Sequence, residues 1–535
     1  MKNIIKKAIE EALNKNEIIF EQEIKIEIPA NKTHGDFSSN IALLLAKQLK
    51  NSPINIANQI KDSINNDKIT KIEVVNPGFI NFFVDKSYLI ENINTVISQG
   101  ENYGRSTIGN NKKINVEFVS ANPTGILHMG NARGGAYGDS LAKILNFAGY
   151  NATKEYYVND AGNQINNLGL SLQARYHELC GIDARMPEDG YYGKEIIEYA
   201  NKLYEENQDT LKDRELDYFK EIATADLLER IKAVLKEYRV EYDVFTSEKK
   251  VYEKGTIPSI LQELEKKGHT TKVEGATWFK SSEFGDTKDH VLVKADGTYT
   301  YLVPDIAYHI DKIQRGYDRL IDVLGTDHHG YVARLKGSLQ ALGHPSDLID
   351  VKLLQLVRLV KDGQEVKMSK RTGNAISLKE LIEEIGVNAA RYFFASRSLD
   401  TQMDFDLELA KKKTSENPVY YISYAHARIS TILNENKREN IQTYTTINES
   451  DAYNVLEKVY MFKSVVEAAA TKELPHLVAN YVHELANLFH TFYSNNRIIV
   501  EDQTKTQENL NMILAVKITI YNALNLIGVI PPERM

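Results

Sequence analysis

In PTGILHMGNARGG, Pro123 to Gly135, a histidine and an asparagine stand three residues apart around a glycine, where a β-rich run gives way to a helical pattern. Residues three apart share one side of a first helical turn, so His128 and Asn131 can point together, and Gly130 lets a phosphate or a flat base approach the backbone. Free N–H groups and the helix dipole at such a corner favour an anion, and two side-chain donors there suit a phosphate whose charge grows in a transition state. That chemistry is nucleotidyl transfer. The plainer alternative is a helix start with a hydrogen-bonded histidine. Far along the chain, KMSKRTGN (Lys367–Asn374) carries two lysines three apart in a loop rich in Gly and Lys. Alone it is a solvated basic turn. Paired with the first motif it reads as a clamp for the pyrophosphate of ATP, with Lys367 and Lys370 neutralising the β- and γ-phosphates as the bond to the α-phosphate breaks.

Such groups must be held by a sheet. KINVEFVS (Lys113–Ser120) is a short β-rich run, a helical pattern extends from about His128 to a stop at Gly149, and TKEYYVND reads as a second strand. This is a βαβ unit, the start of a parallel nucleotide-binding sheet with its ligand at the carboxyl ends of the strands. Strand-like segments resume at YTYLV, LIDVLG and KLLQLVRLV, after a charged, largely helical stretch at about 175–290 that reads as an insertion. The expected fold is therefore α/β: a Rossmann-type catalytic domain over 109–410, preceded by a small α+β domain (1–108) and followed by a helical bundle (411–535). With 535 residues, two to four domains are expected. No apolar run is long enough to span a bilayer, and the N-terminus carries acidic residues and lacks the apolar core of a leader, so the expected location is the cytoplasm. The single cysteine, Cys180, excludes an intrachain disulfide and a cysteine zinc cluster. The net charge of -8 leaves nucleic-acid binding open, since that depends on where Lys and Arg lie.

The two motifs resemble the HIGH and KMSKS signatures of class I aminoacyl-tRNA synthetases. Further ordered blocks make the chain similar to the arginyl-tRNA synthetase family along its length: THGDFSSNIALLLAK, NPGFINF, VEFVSANPTGILHMGNARGG, YYVNDAGNQI, YTYLVPDIAYH, GTDHHGYVARLKG, VKMSKRTGN, ENPVYYISYAHARI and the terminal PPERM. Three positions depart from the pattern. Asn131 replaces the last histidine of HIGH, keeping an amide donor that cannot become cationic. Gly125 stands where members lacking a full KMSK carry a lysine, and this chain has the full KMSK. Ser423 replaces a glutamine in the YYxQYAxAR block.

The resemblance implies ligation of arginine to its tRNA through an arginyl-adenylate, with tRNA bound before activation. Arginine presents a planar five-donor cation, for which carboxylates in a fork are the matching chemistry. The family places Asp305 and Tyr301 on the guanidinium with help from Glu117, and Ser120 and Asn122 on the α-amino and α-carboxylate groups. Asp305 could equally cap the helix that follows. ATP would be held by His128, Gly130, Asn131, Gly325, Asp327, His328 and Lys367, Met368, Ser369 and Lys370, bringing Mg2+ with it. Adjacent Asp327, His328 and His329 converge poorly on one ion, so no zinc or tightly bound cofactor is expected. For tRNA the family implies Asn76, Phe79 and Asn81 at an unpaired base of the elbow, and Tyr420, Tyr424 and Arg428 in the anticodon-binding bundle. The last three, one helical turn apart, could also form a packing face. A monomer is expected. The competing possibilities are another nucleotidyltransferase with the same ATP motifs, and a non-catalytic paralogue that binds tRNA or arginine, for which Asn131 leaves room.

Overall fold

The computed structural model describes residues 1–29, 31–361, 363–365 and 376–535. Lys367, Met368, Ser369 and Lys370 lie outside the described residues. The chain divides into two compact units. One comprises Met1–Thr95, Glu439–Tyr460 and Ile499–Met512; the other comprises Val96–Arg438, Met461–Ile498 and Ile513–Met535.

The larger unit is built on a five-stranded parallel sheet. Its strands run in the order Ile349–Leu354, Arg319–Gly325, Lys113–Glu117, Asn151–Val158 and Val244–Ser247. The first strand in sequence is thus central, with later strands added on both sides. The order reverses between Lys113–Glu117 and Arg319–Gly325, and such a switch point leaves a crevice beyond the strands' carboxyl ends. The helix Met129–Phe147 crosses from the central strand to the next and is buried along most of its length. Gly138 makes this burial feasible, because the ring of Phe118 occupies the space a Cβ would need.

Three local expectations are corrected. YTYLV is not a sheet strand: Tyr299 makes only an isolated bridge to Val293, and the helix Leu302–Gln314 begins within the run. Pro304 sits in its first turn, where a missing N–H costs nothing, so the run of bulky residues starts a helix. KLLQLVRLV is two strands. Ile349–Leu354 joins the parallel sheet, whereas Val357–Lys361 pairs with Met403–Asp406 in another. The stretch read as an insertion also supplies the edge strand Val244–Ser247, after the helices Lys194–Asn207 and Leu216–Glu237. A small antiparallel sheet, Thr270–Val273, Ala276–Phe279 and His290–Val293, follows it.

In the smaller unit an antiparallel sheet places Phe79–Val84 between Phe37–Ser39 and Ile69–Val75. The amphipathic helix Lys2–Lys15 buries Ile5, Ala8, Ile9, Ala12 and Leu13, the spacing expected of one apolar face. From Pro418 onward the described elements are helices, Pro418–Glu435, Ser450–Lys472, His476–Asn495 and Gln503–Leu526. None of the described helices is long and apolar enough to cross a membrane.

Candidate active site

A cleft of about 450 Å³ opens at the switch point. It is lined by His128, Gly130 and Asn131 from the first helical turn, by Gly325 and Asp327 after the neighbouring strand, and by Gln355. His328 is exposed and lies beside Asp327, its Nε2 3.5 Å from the carboxylate. The cleft therefore unites the ATP residues expected from both halves of the sheet that fall within the described residues, with His328 at its margin.

The local chemistry of the HIGH-like corner is a reciprocal cap. The Gly130 N–H donates to His128 Nδ1 (3.2 Å), and the His128 N–H donates to Asn131 Oδ1 (3.0 Å). Two orphan donors of the helix end are satisfied in this way. The plain helix-cap role and the phosphate role are thus compatible. An Nδ1 that accepts leaves the ring proton on Nε2, and an Oδ1 that accepts leaves the Asn131 amide free to donate. Partial desolvation at the cleft wall holds the imidazole below its ordinary pKa, which favours the neutral form. Both side chains are therefore oriented as donors. Gly130 has a local reason as well: a Cβ there would stand 3.1 Å from His128 Cε1 and crowd the ring.

Arg133, the arginine of the same stretch, faces inward and is 1% exposed. Its guanidinium donates to the carbonyls of Gln355 (2.9 Å), Ser398 (2.6 Å) and Thr401 (2.8 Å). It ties the first turns of the helix to Gln355, a wall of the cleft. Burial brings its pKa down to about 10, which leaves it charged at neutral pH.

The residues expected at arginine form a second group beside the cleft. Two residues in left-handed conformation, Val119 (φ 68°) and Ser120 (φ 39°), turn the chain sharply after the central strand. A β-branched residue with positive φ is strained, and such strain persists where surrounding contacts enforce it. Here Ser120 Oγ donates to Glu117 Oε1 (2.9 Å) and accepts from the Tyr157 N–H (3.1 Å). Glu117 is buried, with its other oxygen 2.6 Å from Lys312 Nζ. Asn122 Nδ2 donates to Gln164 Oε1 (2.7 Å). Asp305 lies in the first turn of the helix Leu302–Gln314, where Tyr331 donates its hydroxyl to Oδ2 and His309 Nδ1 lies 3.2 Å from Oδ1. Tyr301 immediately precedes that helix and is 77% exposed. The partners Tyr331, His309 and Lys312 were missed from sequence, although Asp305, His309 and Lys312 at spacings of four and three signal one helix face.

The residues expected at tRNA divide in the same plain way. Asn76 is exposed and Phe79 half-buried. Asn81 is buried, with its Oδ1 accepting from Ser38 Oγ (2.8 Å), and its Nδ2 has no partner among the described residues. On the helix Pro418–Glu435 the rings of Tyr420 and Tyr424 lie 7° from parallel with centroids 6.4 Å apart. The Arg428 guanidinium sits between Tyr424 (4.5 Å) and Tyr493 (4.4 Å). This aromatic and cationic ladder offers flat faces of the kind that unpaired bases stack on. Ser423, on the same helix, is buried.

Three family models match in succession: an arginyl tRNA synthetase N terminal domain over residues 1–84, a catalytic domain of class I tRNA synthetases (R) over 92–431, and a DALR anticodon binding domain over 422–535. Among curated relatives, an arginine–tRNA ligase of Bacillus subtilis (strain 168) is 46% identical over 550 aligned positions, spanning 100% of this chain and 99% of the relative. One of Staphylococcus epidermidis is 47% identical, spanning 96% and 95%. The solved arginyl-tRNA synthetase of Thermus thermophilus superposes with a TM-score of 0.79 at 20% identity, over 100% of both chains, a likeness of fold.

Proposed function

The chain belongs to the arginyl-tRNA synthetase family, and from that premise we propose that it joins L-arginine to its cognate tRNA at the expense of ATP. An α-carboxylate oxygen of arginine attacks the α-phosphorus and pyrophosphate leaves, giving arginyl-adenylate. A ribose hydroxyl of the terminal adenosine of tRNA then attacks the activated carbonyl, and AMP leaves. The catalytic reading is preferred over a non-catalytic paralogue by one observation: the reciprocal cap uses only Nδ1 of His128 and Oδ1 of Asn131, which leaves the Nε2 edge and the amide of two residues that line the cleft at the switch point to act as donors.

ATP fits that cleft, with its phosphates against His128, Gly130 and Asn131 and its remainder towards Gly325, Asp327 and His328. Lys367 and Lys370, flanking Met368 and Ser369, are assigned the leaving pyrophosphate, and magnesium arrives with the nucleotide. Donors fixed before the reaction need no reorientation as charge develops, which is the main electrostatic source of rate. Asp305, with Tyr301 at the rim and Glu117 behind, is assigned the guanidinium, and Ser120 and Asn122 the amino-acid end. Asn76, Phe79 and Asn81 are assigned to the tRNA elbow, and the Tyr420, Tyr424 and Arg428 ladder to the anticodon. A single cytoplasmic chain suffices for these roles.

The direct test is charging of tRNA with arginine by the wild type and by His128→Ala. Charging by the first, and a fall in kcat of about 10²–10³ in the second, are expected for a lost oxyanion-type donor. An unchanged kcat would remove His128 from the chemistry.

A further inference from the structure

One face of the helix Leu302–Gln314 carries Asp305, His309 and Lys312 and lies against carboxylates from two sheet strands. Lys312 is fully buried. Its Nζ stands 2.6 Å from Glu117 Oε2 and 3.0 Å from Asp322 Oδ1. His309 Nε2 is 2.7 Å from Asp322 Oδ2, and Nδ1 is within 2.7 Å of the Asp305 carbonyl and 3.2 Å of its carboxylate. Three carboxylates, Glu117, Asp305 and Asp322, thus meet two cations.

Buried charges persist only when paired, so an excess of one acid in such a cluster requires a cause. The ionic state of each member follows from its neighbours. Burial alone would discharge His309, but Asp322 and Asp305 outweigh it and raise its pKa to about 10. Burial also opposes the charges of Lys312 and Asp322. Their mutual attraction wins, with Lys312 held above and Asp322 below the ordinary values. Glu117 is the member that yields: burial, and next the Asp322 charge, push it up against the pull of Lys312. Glu117, beside the loop that carries Ser120 and Asn122, is therefore the acid most ready to hold a proton while the pocket is empty and to give it up to a cation that enters.

We propose that Asp322, His309 and Lys312 are positioning residues which fix Glu117 and Asp305 and leave this five-member cluster with one more carboxyl group than cations, an imbalance that a guanidinium meets. This rests on assigning the guanidinium to Asp305 and Glu117. The three side chains touch no substrate atom. They act by setting how many cations the pocket can accept, so a neutral side chain leaves the excess unmet and a monocation meets it.

The groups facing His309 are Asp322 from the neighbouring strand and, from its own helix, Asp305 and Lys312; Glu117 lies beyond Lys312. In Asp322→Asn the histidine loses its strongest acidic partner and becomes free to titrate. Two carboxylates then face two cations when His309 is protonated, and one cation when it is not. Deprotonation as pH rises therefore restores the excess of one acid, whereas acidification abolishes it.

The experiment is the arginine KM in the charging reaction of the full chain, at about pH 6.5 and about pH 8.5, each variant compared with wild type at the same pH. In Asp322→Asn it is expected to be about tenfold above wild type at the lower pH, a difference of about 1.4 kcal/mol, and to approach wild type at the higher, with the ATP KM unchanged. The double variant His309→Gln/Asp322→Asn restores one excess acid at both pH values, so its arginine KM should lie near wild type at both. An Asp322→Asn ratio that is the same at both pH values overturns the proposal, because a merely structural defect does not follow the histidine. If Asp322→Asn does not fold, the double variant decides alone: its amides keep a neutral hydrogen bond, and a tenfold rise in KM overturns the proposal. Asp305→Asn, run alongside, separates the two layers. An unchanged arginine KM there sinks the pocket assignment itself, whereas a raised one with a pH-independent Asp322→Asn ratio sinks only the role of the buried charges.

Discussion

Replacing Asp305 by asparagine keeps the shape of the side chain and removes one unit of charge from the face that would meet arginine. Tyr331 can still donate to the amide oxygen, so the helix start and the 329–341 helix retain their link. What disappears is the attraction for a guanidinium. Two opposite charges about 4 Å apart interact by about 4 kcal/mol at an effective dielectric of about 20. The Asp305 side chain is 27% exposed, so solvent screens part of this. Loss of about 2–3 kcal/mol of arginine binding remains, equivalent to a KM raised about 30- to 150-fold. The phosphate-binding corner at His128 shares no hydrogen bond with Asp305. The ATP KM should therefore stay within about twofold, since effects at separate sites do not couple strongly. The assay is steady-state charging with arginine and ATP varied in turn, together with a thermal melt to establish folding. Equal increases in both KM values would refute the separation of the arginine pocket from the phosphate site. An unchanged arginine KM would remove Asp305 from the pocket.

Arg133→Met leaves the buried carbonyls of Gln355, Ser398 and Thr401 without their shared donor; urea unfolding should register a loss of about 3–5 kcal/mol, and a change below about 1 kcal/mol would mean that those carbonyls find other partners. His128 is held below its ordinary pKa, so its neutral form is the one folding favours; that preference is lost as pH falls through the lowered value, when protonation of Nδ1 breaks the bond from the Gly130 N–H. The acid limb of the charging rate should accordingly change in His128→Asn, and an identical limb would assign it to another group. Lys370→Ala should lower the rate of adenylate formation at least about tenfold with little change in the arginine KM, measured by rapid quench with tRNA present; a large rise in that KM would move the lysine out of the phosphate clamp. Arg428→Ala removes the cation held between two tyrosines, and should raise the tRNA KM by about three- to tenfold while leaving the ATP KM alone; no change in the tRNA KM would make the ladder a packing device.

What sequence could reveal followed the range of the interactions concerned. The His128 and Asn131 corner was legible because its hydrogen bonds span two and three residues, within one helical turn. The parallel sheet was legible from LIDVLG and KINVEF, short runs rich in Ile, Val and Leu placed before and after a helical pattern, although Asn115, Glu117 and Asp322 interrupt them. The start of the helix at Leu302 was hidden because bulky strand-favouring residues precede Pro304, and tertiary packing overrode their propensity. KLLQLVRLV hid its division because both halves are strands, and only pairing partners distant in sequence separate them. The buried charges were the least visible. Glu117 and Lys312 are 195 positions apart, and Asp322 looks like an exposed residue of a strand until the helix is laid across it. Their spacing on the helix was present in DIAYHIDK, but its meaning depends on the acids opposite.

The central claim is tested most directly by charging total tRNA with each of the standard amino acids in turn, with ATP and the full chain. Incorporation of arginine alone, dependent on ATP and sharply reduced at limiting arginine in Asp305→Asn, is the predicted result. Charging with a different amino acid, or binding of tRNA with no charging by any of them, would contradict it.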